Sequence, residues 1–169
     1  MAFSFNLQAA VNAIAALERA IPAPSGGAAI TAYNVNANPA KLETPDLLPV
    51  VVHLPLGPRT EAPGDIPGHM GSGVYALSYE IASLLLIIEA IPGGYPADEA
   101  AANLYWQGVC QAFFNRTNAI NLCTAAGAHT YACSFPENSY LVRSWPPLSE
   151  APGYYWSLKY THRFSFFGG

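Results

Sequence analysis

The C-terminal stretch GYYWSLKYTHRFSFFGG, at positions 153–169, constrains the fold more than any other part of the chain. It holds 7 of the 21 aromatic residues, and apolar and polar side chains alternate along it. The even positions are mostly apolar and comprise Tyr154, Trp156, Leu158, Tyr160, His162, Phe164 and Phe166. Most odd positions are polar or cationic, as at Lys159 and Arg163. A period of two predicts a β-strand of about 13 residues with one apolar and one polar face.

Such a strand is more than twice the usual length of about 5–6 residues, and an exposed apolar strand invites aggregation. We therefore expect it to lie inside a sheet or against a partner. Two interpretations are open at this point. The strand closes the core of its own domain, or it also extends the sheet across a subunit boundary.

The low content of charged residues is a second constraint. Only 11% of the 169 residues are charged, against about 25% in an ordinary soluble domain, while 51% are hydrophobic. A surface so poor in charge suggests that other subunits cover much of it, although a secreted protein could have the same composition. The length predicts a single domain, residues 1–169, and 15 prolines with 14 glycines indicate many turns.

The charge distribution argues against tight binding of nucleic acid through this chain alone. The net charge is −4 and the seven basic residues are scattered, so no basic run is available to neutralise phosphates. Passage of DNA along a mildly acidic wall is compatible with the same numbers. We expect no membrane association, because the sequence shows neither a signal-peptide pattern nor a membrane-spanning apolar run. Three cysteines without CxxC spacing predict reduced thiols and synthesis in a cytoplasm.

Periodicity and breaker residues predict the order of elements. The expected positions are a helix from Asn6 or Ser4 to Pro22, strands at 28–39 and 46–56, a loop at 57–73, a strand at 74–92, a helix from Pro96 to near Asn115, an irregular segment at 116–150 with short strands at 128–135 and 140–145, and the aromatic strand. The apolar stripe of the first helix comprises Leu7, Ala10, Val11, Ile14, Leu17 and Ile21. The residues of the second helix expected to face the core are Ala101, Leu104, Tyr105, Gly108, Ala112 and Phe113.

Two of these assignments need a physical argument. Pro49 and Pro55 lack the donor that a central ladder needs, so we place both at the ends of the second strand. The segment from Ala82 to Ala90 is compatible with strand or helix, but the aromatic start and the run LLLII favour one long strand over 74–92.

The elements together predict an α+β fold: a mostly antiparallel β-sheet flanked by two main α-helices, with a long projecting loop or hairpin and a long C-terminal strand. The loop at 57–73 has five glycines, three prolines and no periodicity. Loops of this length are uncommon in compact domains unless they are functional or disordered. We interpret it as a flexible projecting arm, and a tolerated insertion is the alternative.

The sequence carries no catalytic machinery above background. The four histidines have neither an i, i+4 partner nor a neighbouring cysteine of the kind that makes a zinc site, and no nucleophile elbow, P-loop or dinucleotide fingerprint is present. Cys133 lies near His129 in sequence, as a nucleophile and a base would, but a small buried thiol is the favoured interpretation. We therefore expect no enzyme activity, no cofactor and no metal.

The layout resembles the tail terminator and neck proteins of long-tailed bacteriophages. The resemblance rests on the amphipathic N-terminal helix, the LLPVVVHLP strand, the long loop, the VYALSYEI strand, the Asp/Glu-opened helix and the closing YYWSLKYTHRFSF strand. It covers nearly the whole chain in order, through patterns of residue type rather than invariant residues. In that family the stretch matching Leu48 to Val52 is the core strand, and a Tyr-Trp pair such as Tyr155-Trp156 leads into the last strand. The cysteine- and aromatic-rich region at about 104–147 departs from the family pattern.

This resemblance implies a structural virion protein, made in the host cytoplasm and located in the tail or neck. It implies a homohexameric ring that caps the tail tube and joins it to the head connector or neck protein, with DNA passing non-specifically through the lumen. The implied partners are thus further copies of this chain, the tail tube protein and the head connector. The expected subunit or partner interface residues are Arg59, Glu61, Asp65, His69, Met70, Tyr155, Lys159, Arg163 and Phe167.

Two other classes of function are alternatives. One is another neck, head-completion or tail-tube component, which would bind the portal or stack into filaments. The other is a small ligand-binding or enzymatic α+β domain, for which the expected sign is a deep pocket lined by His129, Cys133 and a carboxylate.

Overall fold

The computed structural model describes residues 5–32, 48–61, 75–90, 95–136, 140–145 and 153–168. In these ranges the chain forms three helices and a mixed sheet of six strands, so the predicted α+β class is confirmed. In chain order the elements are α1 (Leu7–Arg19), β1 (Thr31–Ala32), β2 (Val50–Glu61), β3 (Tyr75–Glu89), α2 (Tyr95–Phe113), α3 (Arg116–Ala126), β4 (Thr130–Ser134), β5 (Tyr140–Trp145) and β6 (Gly153–Gly168).

The sheet is built around the aromatic strand β6. The strand order is β1-β2-β3-β6-β4, and β5 also pairs with β6. β3 runs antiparallel along one side of β6, while β4 and β5 pair with successive parts of its other side. Among the described strands, β1 and β2 form the one parallel pair, so the sheet is mostly antiparallel as predicted. The long aromatic strand therefore lies in the interior of the sheet.

The two faces of β6 separate as the alternation predicts. The even positions face the three helices, and their fully buried members are Leu158, Tyr160, His162 and Phe164. They form the main core with residues of β3 and of all three helices. Tyr154, at the start of the strand, is the exception among the even positions, because it is 56% exposed.

The opposite face of the sheet carries a smaller apolar cluster. Its buried members are Val50, Val52, Leu86 and Tyr155. The odd positions of β6 beyond this cluster include Lys159 and Arg163, both exposed. The sheet thus has one face committed to the helices and a second face that is apolar at one end and polar along the rest of β6.

α1 begins at an asparagine cap. The Asn6 side chain accepts a hydrogen bond of 3.0 Å from the Ala9 N–H, which satisfies one free donor of the first turn. The buried face of the helix consists of Ala10, Val11, Ile14, Ala15 and Glu18. Ala10, Val11 and Ile14 belong to the predicted apolar stripe. Glu18 is a carboxylate one turn further along the same face.

β2 is longer than predicted and contains a proline inside the strand. Pro55 was expected at the strand's end, but the strand continues to Glu61. The register with β3 shifts between Pro55 and Gly57, and the described residues of β1 pair with Val50 and Val51. The irregularity next to Pro55 accommodates a residue that lacks the N–H donor of a regular ladder. Residues 57–61 of the predicted arm therefore belong to the sheet, and the rest of it lies outside the described residues.

The helices α2 and α3 also pack on the main core. α2 agrees with the predicted helix, but Leu104, expected to face the core, is 49% exposed. The buried residues of α2 follow 3, 4, 4 spacing and are Ala102, Tyr105, Val109 and Phe113. This spacing turns Leu104 about 100° away from the buried stripe.

α3 is a third helix in a segment that the sequence predicted to be irregular. Asn115 caps its N-terminus by accepting from the Thr117 and Asn118 N–H groups at 2.9 and 3.3 Å. Gly127 ends it in the left-handed conformation, with φ of 70°. The two short strands expected within the segment 116–150 are present as β4 and β5. None of the helices in the described ranges combines the length and apolarity needed to cross a bilayer.

Candidate functional site

Four of the predicted interface residues lie on β6, namely Tyr155, Lys159, Arg163 and Phe167. They are four positions apart, so they share the face opposite the helices, but successive members are about 13 Å from each other along the strand. Tyr155 is buried, and Phe167 is half-buried with its ring centroid 5.7 Å from that of His129. These residues form a row along one face and not a compact site.

The other predicted interface residues belong to the β2–β3 hairpin. Arg59 and Glu61 lie in β2, in register with Ser78 and Ala76 of β3. The three predicted residues that lie outside the described part of the chain are Asp65, His69 and Met70.

The structure instead brings together a set of polar side chains inside the core. We call it the buried polar network, and it consists of Glu18, His53, Ser83, Tyr131, Tyr160 and His162. Four strands and α1 contribute to it. Glu18, Ser83, Tyr160 and His162 are each 0% exposed.

One half of the network is centred on the carboxylate of Glu18. His53 Nε2 lies 2.7 Å from Glu18 Oε2, and the exposed fractions of the two side chains are 2% and 0%. The Tyr160 hydroxyl donates to Glu18 Oε1 at 2.5 Å. Both carboxylate oxygens therefore have a partner, as a buried charge requires.

The other half is centred on the imidazole of His162. Its Nε2 lies 3.0 Å from Ser83 Oγ, and its Nδ1 lies 2.7 Å from the Tyr131 hydroxyl. A neutral imidazole has one donor and one acceptor nitrogen, and hydroxyl groups can match either role. The Phe113 ring packs edge-on against His162, with centroids 4.7 Å apart, and closes this half from the α2 side.

Strand register explains why the network forms where it does. His53 of β2 pairs with Ser83 of β3, and Ser83 pairs with Tyr160 of β6, so the three occupy one row across the sheet. His162 follows Tyr160 by two residues on the same face, and its partner position in β4 is Cys133. Side chains in one row or one diagonal of a sheet face are close enough for hydrogen bonding.

Burial sets the electrostatics of the network. Desolvation, followed by the nearby His53, lowers the pKa of His162 well below its usual range. Desolvation also raises the pKa of Tyr160, and the charge of Glu18 adds to this effect. Burial raises the pKa of the Cys133 thiol to about 12, although a hydrogen bond with Tyr131 partly opposes that shift. His162, Tyr160 and Cys133 are therefore neutral at pH 7.

This arrangement does not favour covalent chemistry on a substrate. Ser83 and His162 have a contact distance typical of a nucleophile and its base, but both are 0% exposed. Cys133 has a neutral thiol at ordinary pH, and its strand partner is His162 instead of the expected His129. His129 accepts a hydrogen bond from the Phe167 N–H at its Nδ1. The alternative pairing of Cys133 with His129 as nucleophile and base is thus not supported by these contacts.

A groove of about 290 Å³ lies between the α2–α3 turn and β4 and reaches the network at Tyr131. Its lining among the described residues is Phe113, Phe114, Asn115, Arg116, Ala119, Tyr131, Ala132 and Cys133. Neither His129 nor a carboxylate belongs to this lining, so it differs from the pocket expected for a ligand-binding alternative. The described residues also contain no group of three or more His, Cys, Asp or Glu side chains arranged to hold a metal ion.

Two positions in the sequence carry a signal for the buried polar network, although they were not among the predicted site residues. Glu18 follows Ile14 by four positions and Val11 by seven, so a carboxylate occupies the apolar stripe of α1. His162 lies on the apolar parity of the aromatic strand. A charged or titratable residue on a buried face needs a buried partner, and each of these positions predicts one.

Apolar side chains are exposed at both edges of the sheet. The β2-edge patch consists of Leu54 and Leu56, which are 41% and 49% exposed and follow the β2 residues that pair with the described part of β1. The β4-edge patch consists of Phe114, 63% exposed, and Phe135, whose ring lies 5.6 Å from it just after β4. The two patches lie on opposite sides of the β3–β6 centre of the sheet.

Comparison with known proteins gives no family. No model of a known protein family matches the chain, and a search of curated proteins found no match.

Proposed function

We propose that this chain is a structural virion protein, a tail terminator of a long-tailed bacteriophage. In this proposal it forms a homohexameric ring that caps the tail tube and meets the head connector on its other face. DNA passes through the lumen without sequence-specific contacts. The protein is made in the host cytoplasm and resides in the tail or neck of the virion.

The observation that carries the proposal is the pair of apolar patches at opposite edges of the sheet. Large apolar side chains exposed at two separate places are a mark of surfaces that another protein covers. In a head-to-tail ring each subunit uses two different surfaces, one for each neighbour. The β2-edge patch and the β4-edge patch supply two such surfaces on opposite sides of one subunit.

The low charge of the surface supports the same proposal. The acidic residues of α2 are Asp98 and Glu99 near its start, and no charged residue occurs from Ala100 to Phe114. Leu104 and Trp106 are nevertheless exposed on this helix, at 49% and 38%. An outward helix face without charges suits a subunit that is largely enclosed by its neighbours.

The closed nature of the polar network also favours a structural role. Ser83 and His162 are fully buried, and the hydrogen bonds of the network join α1 to the sheet. The family assignment itself comes from the order of elements in the sequence, namely the N-terminal helix, the PVVV strand, the long hairpin, the acid-opened helix and the closing aromatic strand. These features support the proposal through resemblance, and the ring is the part that a direct measurement tests.

The first test is the solution mass of the purified chain by light scattering after size exclusion, at several protein and salt concentrations. A discrete hexamer is the expected result, and electron microscopy of the same sample should show closed rings. Stacking into open filaments would favour a tail-tube component instead. Self-assembly through the two patches would be contradicted if the protein is a monomer at every concentration and the substitutions in the two patches leave its solution mass unchanged.

A pair of variants tests the head-to-tail geometry. Leu56→Asp damages only the β2-edge patch, and Phe114→Asp damages only the β4-edge patch, so each variant alone should fail to form rings. When mixed, the two should form a one-to-one dimer, because each retains the patch that the other lacks. Gln8→Asp, on an exposed position of α1 outside both patches and away from α2, is the control and should still form rings. If the mixture stays monomeric while each variant is folded, the interface does not pair these two edges.

A further inference from the structure

We propose that His162 and strand β4 form an acid-sensitive switch, in which protonation of the buried imidazole opens the β4 edge of the sheet. This inference concerns the conformation of the single chain and holds whether or not the proposed ring exists. It rests on three features of the structure: the number of counter-charges in the network, the way β4 covers His162, and the groove beside β4.

The network has a counter-charge for one imidazolium and not for two. The titratable or charged groups in the network and beside its β4 residues are Glu18 from α1, His53 from β2, Tyr131 and Cys133 from β4, Tyr160 from β6, Cys110 from α2, Cys123 from α3, and Arg116 at the groove. Glu18 is the one carboxylate in this set of described residues. Both of its oxygens are already engaged, by His53 and Tyr160. A proton added to His162 would therefore create a buried cation beside His53 with no acid of its own.

β4 is the element that must move for water to reach such a cation. On the other sides His162 is enclosed by β3, through Ser83, and by the Phe113 ring of α2. β4 is a five-residue strand at the edge of the sheet, with alternate residues exposed. Short edge strands belong to the parts of a fold that open at the lowest free energy. The groove of about 290 Å³ already brings solvent to Tyr131 and Cys133, the two β4 residues next to His162.

The direction of the pH effect follows from the neutral state of His162. Its folded-state pKa lies below the ordinary value of about 6.5, so the closed form binds fewer protons than an opened form. Closure is fully favoured above about pH 6.5 and weakens as pH falls towards the folded-state pKa. One proton taken up on opening makes the open state up to about tenfold more populated for each pH unit in that window.

Hydrogen exchange on the full chain between pH 7.5 and 5.0, corrected for the intrinsic pH dependence of exchange, tests the switch. β5 is a matched internal control, because it is also a short edge strand on the same side of β6 but contributes no residue to the network. We expect the amides of residues 130–134 to exchange up to about tenfold faster per pH unit below 6.5, and those of residues 140–145 to change much less. Equal acceleration in both strands would show global acid unfolding and overturn the proposal.

The variant His162→Gln separates the histidine from other acid effects. The glutamine amide has a donor and an acceptor for Tyr131 and Ser83 but does not titrate. We expect β4 exchange in this variant to be independent of pH between 7.5 and 5.0. If β4 in the folded variant still opens in acid, His162 is not the sensor.

A measurement on the unaltered protein covers the case in which the variant does not fold. The ring signals of His162 are followed by NMR through the same pH range. The expected result is a midpoint below 6.5 that coincides with the loss of the β4 amide signals. Protonation of His162 with the β4 signals unchanged would overturn the proposal.

Discussion

Removal of the Glu18 carboxylate tests whether the buried polar network stabilises the attachment of α1 to the sheet. Glu18 is fully buried, and its two oxygens bind His53 at 2.7 Å and the Tyr160 hydroxyl at 2.5 Å. In Glu18→Ala both partners lose their acceptor and remain in the core. The substitution also leaves a cavity where the carboxylate and its methylenes were.

The expected loss of stability follows from the fate of these partners. Removing one member of a buried carboxylate–imidazole pair costs about 3–5 kcal/mol when the pair is ionic. A buried hydroxyl left without its acceptor costs about 1–3 kcal/mol by itself. Since the two effects share one site they do not add, and we expect Glu18→Ala to lower the free energy of unfolding by about 3–5 kcal/mol. For a chain of this size the melting temperature should fall by about 6–20 °C.

The assay is urea unfolding followed by circular dichroism, at one fixed protein concentration because self-assembly would otherwise change the apparent stability. Gln8→Ala is the matched control, since Gln8 lies on the exposed side of the same helix. Its effect should stay within about 0.5 kcal/mol. Glu18→Gln, which keeps the shape and an acceptor for Tyr160, should cost less than Glu18→Ala.

A double-mutant cycle with Tyr160→Phe decides whether the contact itself is responsible. We expect the two substitutions together to cost less than the sum of the single ones by about 1–2 kcal/mol, because each removes the same hydrogen bond. A loss below about 1 kcal/mol for Glu18→Ala, or additive effects in the cycle, would refute the reasoning.

Two further substitutions test packing and capping on the helical layer by the same urea assay. Gly108→Ala should destabilise by about 1–3 kcal/mol despite the better helix propensity of alanine, because the new Cβ would lie 2.5 Å from Ile21 Cγ2. The cost should shrink in an Ile21→Ala background, and an unchanged cost there would contradict this explanation. Asn115→Ala should cost about 1 kcal/mol, because the side chain accepts from the Thr117 and Asn118 N–H groups at the start of α3. Asn115→Asp keeps the acceptor and should recover most of that loss, so equal losses in the two variants would argue against capping.

Several parts of the fold were predictable because they depend on local pattern. The alternation along residues 154–166 predicted a strand that belongs in the interior of a sheet, and β6 lies there. The run LLLII after an aromatic start predicted the long strand β3, and Asn6 was correctly proposed as a cap of α1. In these cases one periodic signal dominates, so tertiary contacts did not need to be known.

The observed elements differ from the predicted ones where the local sequence pattern was weak or ambiguous. α3 carries a short mixture of polar and apolar residues, so its sequence has little amphipathic contrast, and it is held by the Asn115 cap and by packing of Leu122 and Ala126. Pro55 was placed at a strand end by its missing donor, but the register shift next to it makes a position inside the strand acceptable. Such positions depend on neighbouring strands that the sequence does not reveal.

The sequence by itself determined that Glu18 and His162 would be buried, because a helical stripe and strand alternation place them among apolar residues. It did not determine which of them would meet. Glu18 and Tyr160 are 142 positions apart, and Ser83 and His162 are 79 apart. Their contacts depend on the register of β2, β3 and β6 and on the docking of α1, which are set by the whole core at once. A shift of one residue in any of these strands would turn its polar side chain to the other face, so only the tertiary structure decided the network.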